Sequence, residues 1–331
     1  MAAQPKKLLA LPPILLCGLL VVVLSPQPGL AEQPTHLTFA WPAGATAEVS
    51  YSVEGWRQSG TSRTTLQRQM KYRLRVSARN GEPGMVVERL WPTVPAPRRP
   101  TSGQQKSFFG SLPRPTNSAV QALVDDLPEL VERLEIAADG RLLSVDGGKD
   151  LETRIANALA DSEADAGTRL QIESLTTDES LFQLSKQAWA ALVTAWLDRD
   201  LAQGFPFSDR SDAETPSVSK TVEVPASGRF AGWVPCDEDE RASGESSCVE
   251  LHWSAAPQGE DAKEAVEALE RRSLQGLELT REVTVVADPA TLLPYSTIDH
   301  LEAKRTLQQG SETIESSESM TRRRRFIWTH P

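Results

Sequence analysis

Cys236 and Cys248 are the only cysteines beyond residue 17, and the acidic, glycine-punctuated stretch "DEDERASGESS" lies between them. Such a pair could hold a metal, work as a dithiol or close a disulfide. Zinc needs about four ligands. Only His252 is close in sequence, on the same strand face as Cys248. Calcium fares no better, because Arg241 stands where an EF-hand loop wants Asp or Asn. A catalytic dithiol usually keeps its cysteines about two residues apart. Two cysteines flanking a loop between strand-like segments of an exported chain pair by default. The reading is a disulfide, with no metal and no cofactor.

Other catalytic patterns are sparse. "SVSK" at residues 217–220 matches Ser-x-x-Lys, but it sits in a strand context and lacks the partner motifs of the penicillin-binding type. The sequence holds no G-x-S-x-G, H-E-x-x-H, phosphate-cradling loop or dinucleotide fingerprint. His36 and His330 lie near the ends of the mature chain, and His252 and His300 lie on strands without an obvious nucleophile. With 45 acids, chance carboxylate pairs are abundant and do not identify a glycosidase. We expect a protein without enzymatic activity, with a hydrolase as a distant third reading.

Two clusters suit binding instead. Arg322, Arg323, Arg324 and Arg325 form the densest positive run in an acidic chain. On a strand they alternate, two guanidinium groups to each face. They read either as a solvated edge strand that discourages pairing or as a dock for an anionic partner such as lipid headgroups or surface polysaccharide. Arg73, Arg75 and Arg79 could extend that surface only if the two β segments are adjacent. Trp189 and Trp196, seven residues apart, would stack on one helical face. With Phe182 and Leu192 they either fill a core or line an apolar pocket between helix and sheet.

The elements that must position these residues begin after a processing segment. Lys6 and Lys7, an apolar run over residues 8–24, and Gly29 and Ala31 form a signal peptide, residues 1–31, with cleavage expected after Ala31. An uncleaved anchor is the alternative. Loss of Lys6 and Lys7 leaves 33 basic against 45 acidic side chains, a formal charge of −12. That balance argues against nucleic-acid binding and favours a self-repelling protein of the periplasm or exterior, for which peripheral membrane contact stays open.

Residues 32–331 read as one composite domain. Over 32–94, "TAEVSYSVEG", "LQRQMKYRLRVSAR" and "MVVERLW" alternate with period two and form antiparallel strands. Residues 95–118 are a Pro/Gly/Ser-rich connection interrupted by Phe108 and Phe109. Residues 119–206 are mainly helical, with a hairpin near 131–145 turning at Asp139 and Gly140. There "TTDESLFQLSKQAWAALVTAWLDRDLAQG" predicts a long helix opened by a Thr176/Glu179 capping box and closed by Gly204. After a linker at 208–217, residues 217–331 supply strands "VSKTVEV", "GRFAGWVP", "CVELHWS", "LELTREVTVVAD", "LLPYSTIDHLEA" and "RRRRFIWTH" around a polar helix at 259–276. Strands, helices, strands is an α+β order with antiparallel sheet.

The stretch "VTVVADPATLLPYSTIDHLEAKRTLQQGSETIESS", through Asp288, Thr291, Leu293 and Pro294, resembles the C-terminal half of half-open β-barrel envelope proteins, of which the outer-membrane lipoprotein carriers are the best known. The likeness spans about 50 residues. It implies a curved, half-barrel-like antiparallel sheet with helices on its concave side and an apolar cavity between them, a fold that binds acyl chains. The chain departs from that family in size, in its acidic insert and in its disulfide. The expected function is that of an exported, non-enzymatic protein binding an apolar or lipid-like ligand. The alternative is a structural or interaction protein of the cell envelope without a small-molecule ligand.

Overall fold

Period-two patterning builds nearly everything that the structure, a computed structural model, describes: residues 35–91, 127, 129–147, 151, 153, 176–213, 222–256, 274–309 and 312–329. In β2 (Thr46–Ser59) Ala47, Val49, Tyr51 and Val53 are buried while Glu48, Ser50 and Glu54 face water or the rim. β3 (Ser62–Ala78) repeats the pattern with Tyr72, Leu74 and Val76, and β4 (Gly84–Leu90) completes the expected meander. The hairpin at Asp139 and Gly140 is β5 (Arg133–Ala137) and β6 (Leu142–Asp146). Gly140 takes the positive φ of 84° that this turn requires.

β8 (Pro206–Ala213), β9 (Val222–Val234), β10 (Cys248–Ala255), β11 (Leu274–Ala287), β12 (Pro294–Gln309) and β13 (Glu312–Thr329) follow. With β2 to β6 they form an unclosed 11-stranded sheet, β6-β5-β4-β3-β2-β13-β12-β11-β10-β9-β8, antiparallel throughout. The N-terminal and C-terminal β segments are therefore joined in one sheet, where β13 pairs β2 from Ser316↔Ser59 to Thr329↔Thr46. A separate two-stranded ribbon pairs β1 (Thr35–His36) with β7 (Asp200–Leu201).

Three expectations are corrected. β8 occupies most of the segment read as a linker, because its residues pair with β9 from Pro206↔Arg229 to Ala213↔Val222. The strands expected at "VSKTVEV" and "GRFAGWVP" are, from Val222 onward, one continuous strand, β9. The C-terminal strand is twice as long as "RRRRFIWTH", since β13 starts at Glu312. The signal peptide, the connection with Phe108 and Phe109, and all but the last residues of the polar helix at 259–276 lie outside the described residues.

The long helix is shorter than its pattern. α1 (Asp178–Leu192) begins one residue later than the capping box implies, with Thr177 as its N-cap: the Thr177 oxygen accepts a hydrogen bond from the Ser180 N–H at 3.2 Å. Glu179 does not reach back. It accepts from Gln183 one turn further along, at 2.7 Å. The helix stops at Leu192, followed by a 3-10 turn (Thr194–Trp196), and Asp198 takes a φ of 55°. The β-branched pair Val193 and Thr194 weakens the helix there, and Trp196 is drawn onto Phe207 of β8, ring centroids 5.7 Å apart.

Candidate functional site

The disulfide is present. Cys236 and Cys248 are bonded, with Cα atoms 5.0 Å apart. The stretch between them contains a short helix, α2 (Glu238–Ser243), capped by Asp237 and ended by Gly244 at φ 80°. The Glu240 carboxylate accepts from the Cys236 N–H at 2.9 Å and the Ser247 hydroxyl at 2.6 Å. Those bonds hold its carboxyl below the usual carboxylate range. Asp237 thus caps α2 and Glu240 braces the two ends of the staple, and among the described residues no group of three or more His, Cys, Asp or Glu side chains could hold a metal ion.

The four arginines lie on β13, the sixth of eleven strands, so the edge-strand reading is overturned. Alternation does divide them. Arg323 and Arg325 share the outer face with Ser50, Ser52, Ser296 and Ile298, their direct cross-strand partners. Arg323 pairs with Glu54 there. Arg322 and Arg324 point to the covered face, in phase with Met320 and Phe326. The stripe Arg73, Arg75 and Arg79 lies two strands away in the same sheet, each residue already beside an acid: Glu48, Glu88, and Glu82 with Glu135.

On the covered face the arginines build a buried ionic network. Arg324 bonds the Glu129 carboxylate through Nε at 2.9 Å and through Nη2, and the Tyr72 hydroxyl donates to the same carboxylate at 2.8 Å. Arg281 on β11 clasps Asp299 on β12 with two bonds of 2.9 Å, and Arg322 adds a longer one. Further along, Arg57 and Arg305 both reach Glu318 at 2.6 Å. Burial alone would push these carboxyls up, but the guanidinium groups outweigh it. Glu129 is pushed down to about 2, with Arg324 and then Arg89 responsible, and Asp299 and Glu318 are also lowered. Burial, helped by the Glu129 charge, raises Tyr72, so its phenol stays a donor.

α1 lies over this face and touches both edge strands, β6 and β8. Its buried residues are Leu181, Ser185, Trp189 and Ala191. Trp189 and Trp196 do not stack on one helical face. Trp189 packs edge-on to Phe39 and Trp41 and donates to the Gly140 carbonyl at 2.7 Å, in the β5–β6 turn. Trp196, past the helix end, donates to Ala191 and packs on β8. Between α1 and the sheet is a cavity of about 70 Å³. Of the four pocket candidates, Trp189 and Leu192 line it; Trp196 and Phe182 do not. Its other walls include Trp41, Leu74, Val283 and Phe326, and its polar floor is Tyr72, Arg89, Glu129, Arg281, Asp299 and Arg324.

Sequence reasoning missed the acids and most of the polar floor. A phase signal existed: Asp299 alternates with Thr297 and Leu301, and Arg324 with Phe326 and Trp328, so both had to face the core. Leu37, Phe39 and Trp41 carried the same signal and are core residues, Trp41 donating to the Leu292 carbonyl at 3.1 Å. The strand histidines lie on the opposite face, His252 between Glu250 and Arg229 and His300 beside Thr321 and Glu302. An open groove of about 1200 Å³ on the outer face runs past Arg323 and Arg325 to Asp237 and Asp239. No protein-family model matches the chain, and no curated protein is significantly similar to it.

Proposed function

We propose that this chain is an exported, non-enzymatic binding protein that holds an apolar or lipid-like ligand between α1 and a half-barrel-like sheet. The observation that carries the reading is the cavity beneath α1, walled by aromatic and aliphatic side chains and spanned by a helix that reaches both sheet edges. One helix can touch both edges of an 11-stranded sheet only where the sheet curls toward it. A disulfide suits an oxidising compartment, and no helix among the described residues is long and apolar enough to cross a membrane. The cavity has room for about two waters, so a bound chain must lift α1 from the sheet.

Native mass spectrometry with organic extraction, on protein recovered after export with the disulfide intact, tests the reading. An apolar molecule should co-purify or be taken up, and Leu192→Gln should reduce uptake while Phe182→Gln should not. A clean apo mass with no uptake of offered lipids refutes it.

One observation favours the alternative of an envelope interaction protein. Ile298 and Ile327 are 42% and 56% exposed on the outer face, in the groove that also holds Arg323 and Arg325. A salt-dependent association with an anionic envelope component, lost on replacing Arg323 and Arg325 by serine, would support it. Arg322 and Arg324 are unsuitable for that test because they hold buried carboxylates.

A further inference from the structure

Ser185 is the polar residue in the buried stripe of α1, one turn from Leu181 on one side and Trp189 on the other. A serine inside a helix ordinarily bonds the carbonyl one turn back or points to solvent. Ser185 does neither. The residue is 5% exposed, and its Oγ has no hydrogen-bond partner among the described residues. It lines the cavity under α1. A buried hydroxyl without a partner is a donor waiting for an acceptor.

The charge across the cavity says which acceptor suits it. The described walls carry three guanidinium groups, Arg89, Arg281 and Arg324, against two carboxylates, Glu129 and Asp299. Both carboxylates are already held by two or more hydrogen bonds. A cationic or purely apolar group entering there would meet unfavourable charge or leave the hydroxyl unmet. A small anion meets these guanidinium groups and the Ser185 donor together. At about 70 Å³ the space fits a headgroup rather than a hydrocarbon chain. The chain would continue along Leu192, Val283 and Phe326.

We propose that the cavity takes the anionic head of a single-chain amphipath, a carboxylate or a phosphate, which accepts a hydrogen bond from Ser185 and faces Arg324 and Arg281. The proposal rests on the apolar-ligand reading and adds the headgroup to it. In this pose Glu129 and Asp299 keep the guanidinium partners they already have.

The test uses the exported, disulfide-bonded protein and four probes of equal chain length: laurate, dodecyl phosphate, dodecanol and dodecylamine. Binding is followed by tryptophan fluorescence, since Trp41 and Trp189 line the site, and by native mass spectrometry. An anionic probe should bind about tenfold more tightly than dodecanol, and Ser185→Ala should shrink that advantage by weakening the anions more than dodecanol, whose hydroxyl accepts only a neutral bond. Preference between laurate and dodecyl phosphate identifies the head. Equal binding of dodecanol and both anions, or an unchanged preference in Ser185→Ala, overturns the headgroup while leaving the apolar-ligand reading intact. Failure of all four probes to bind folded protein overturns both. Because alanine is a better helix former than serine, Ser185→Ala should fold.

Discussion

Glu129 shows how one side chain depends on residues far from it. Its carboxylate is bonded by Arg324, 195 residues away in the chain, and by Tyr72, 57 residues away. Removing one partner of a buried ion pair leaves an uncompensated charge, a loss of about 3–5 kcal/mol. Arg324→Leu should therefore destabilise the protein by roughly that amount in urea titration, and the double replacement of Glu129 and Arg324 by Gln and Leu should cost clearly less. Equal costs would mean that the stranded Glu129 carboxylate carries no penalty of its own. Acid should act through the same group. Its folded carboxyl is pushed down to about 2 from an ordinary 4.5. The stabilisation is complete above pH 4.5 and is lost as pH falls toward about 2. In Glu129→Gln the stability measured across that window should fall less steeply than in the parent protein, although Asp299 and Glu318 keep some slope of the same sign.

Among the elements, α1 carries the plainest expectation. Thr177 satisfies a first-turn N–H that would otherwise face solvent alone. Thr177→Ala should cost about 1 kcal/mol in thermal or urea unfolding, and Thr176→Ala distinctly less. The opposite order would restore the capping box that the sequence suggested. The strap-like placement of this helix also explains its two tryptophans. Trp189 fixes it to the β5–β6 turn and Trp196 fixes the following turn to β8. A heptad spacing suggested one face, but the α-helix ends between them, so the spacing places them at opposite edges of the sheet. Edge strands with free backbone groups invite pairing with other chains. Here one helix touches both.

At the scale of the whole molecule, the sheet is a single continuous hydrogen-bonded ladder from β6 to β8, and its ends are the vulnerable places. The disulfide sits between β9 and β10, next to the β8 edge. With a sequence separation of 12, reduction or Cys236→Ser/Cys248→Ser should lower stability by roughly 3 kcal/mol, less any relief of native strain. A thermal melt with and without reductant checks this, and an unchanged midpoint would show that the staple is energetically silent.

What the sequence determined by itself was local. Alternation assigned the strands and their faces at β2 and β3, Asp139 and Gly140 marked the hairpin, and two cysteines flanking a short acidic segment paired. The sheet order was decided by the tertiary structure, and with it the fate of the arginine run. A period of two states which face a residue takes but not which strand lies beside it. On an edge, Arg322 and Arg324 would be solvated; at the centre they need carboxylates and find Asp299 and Glu129. The cavity is tertiary in the same sense. Ser185, Glu129 and Arg324 come from three separate segments of the chain, and only the packing of α1 across the sheet makes them neighbours of one space.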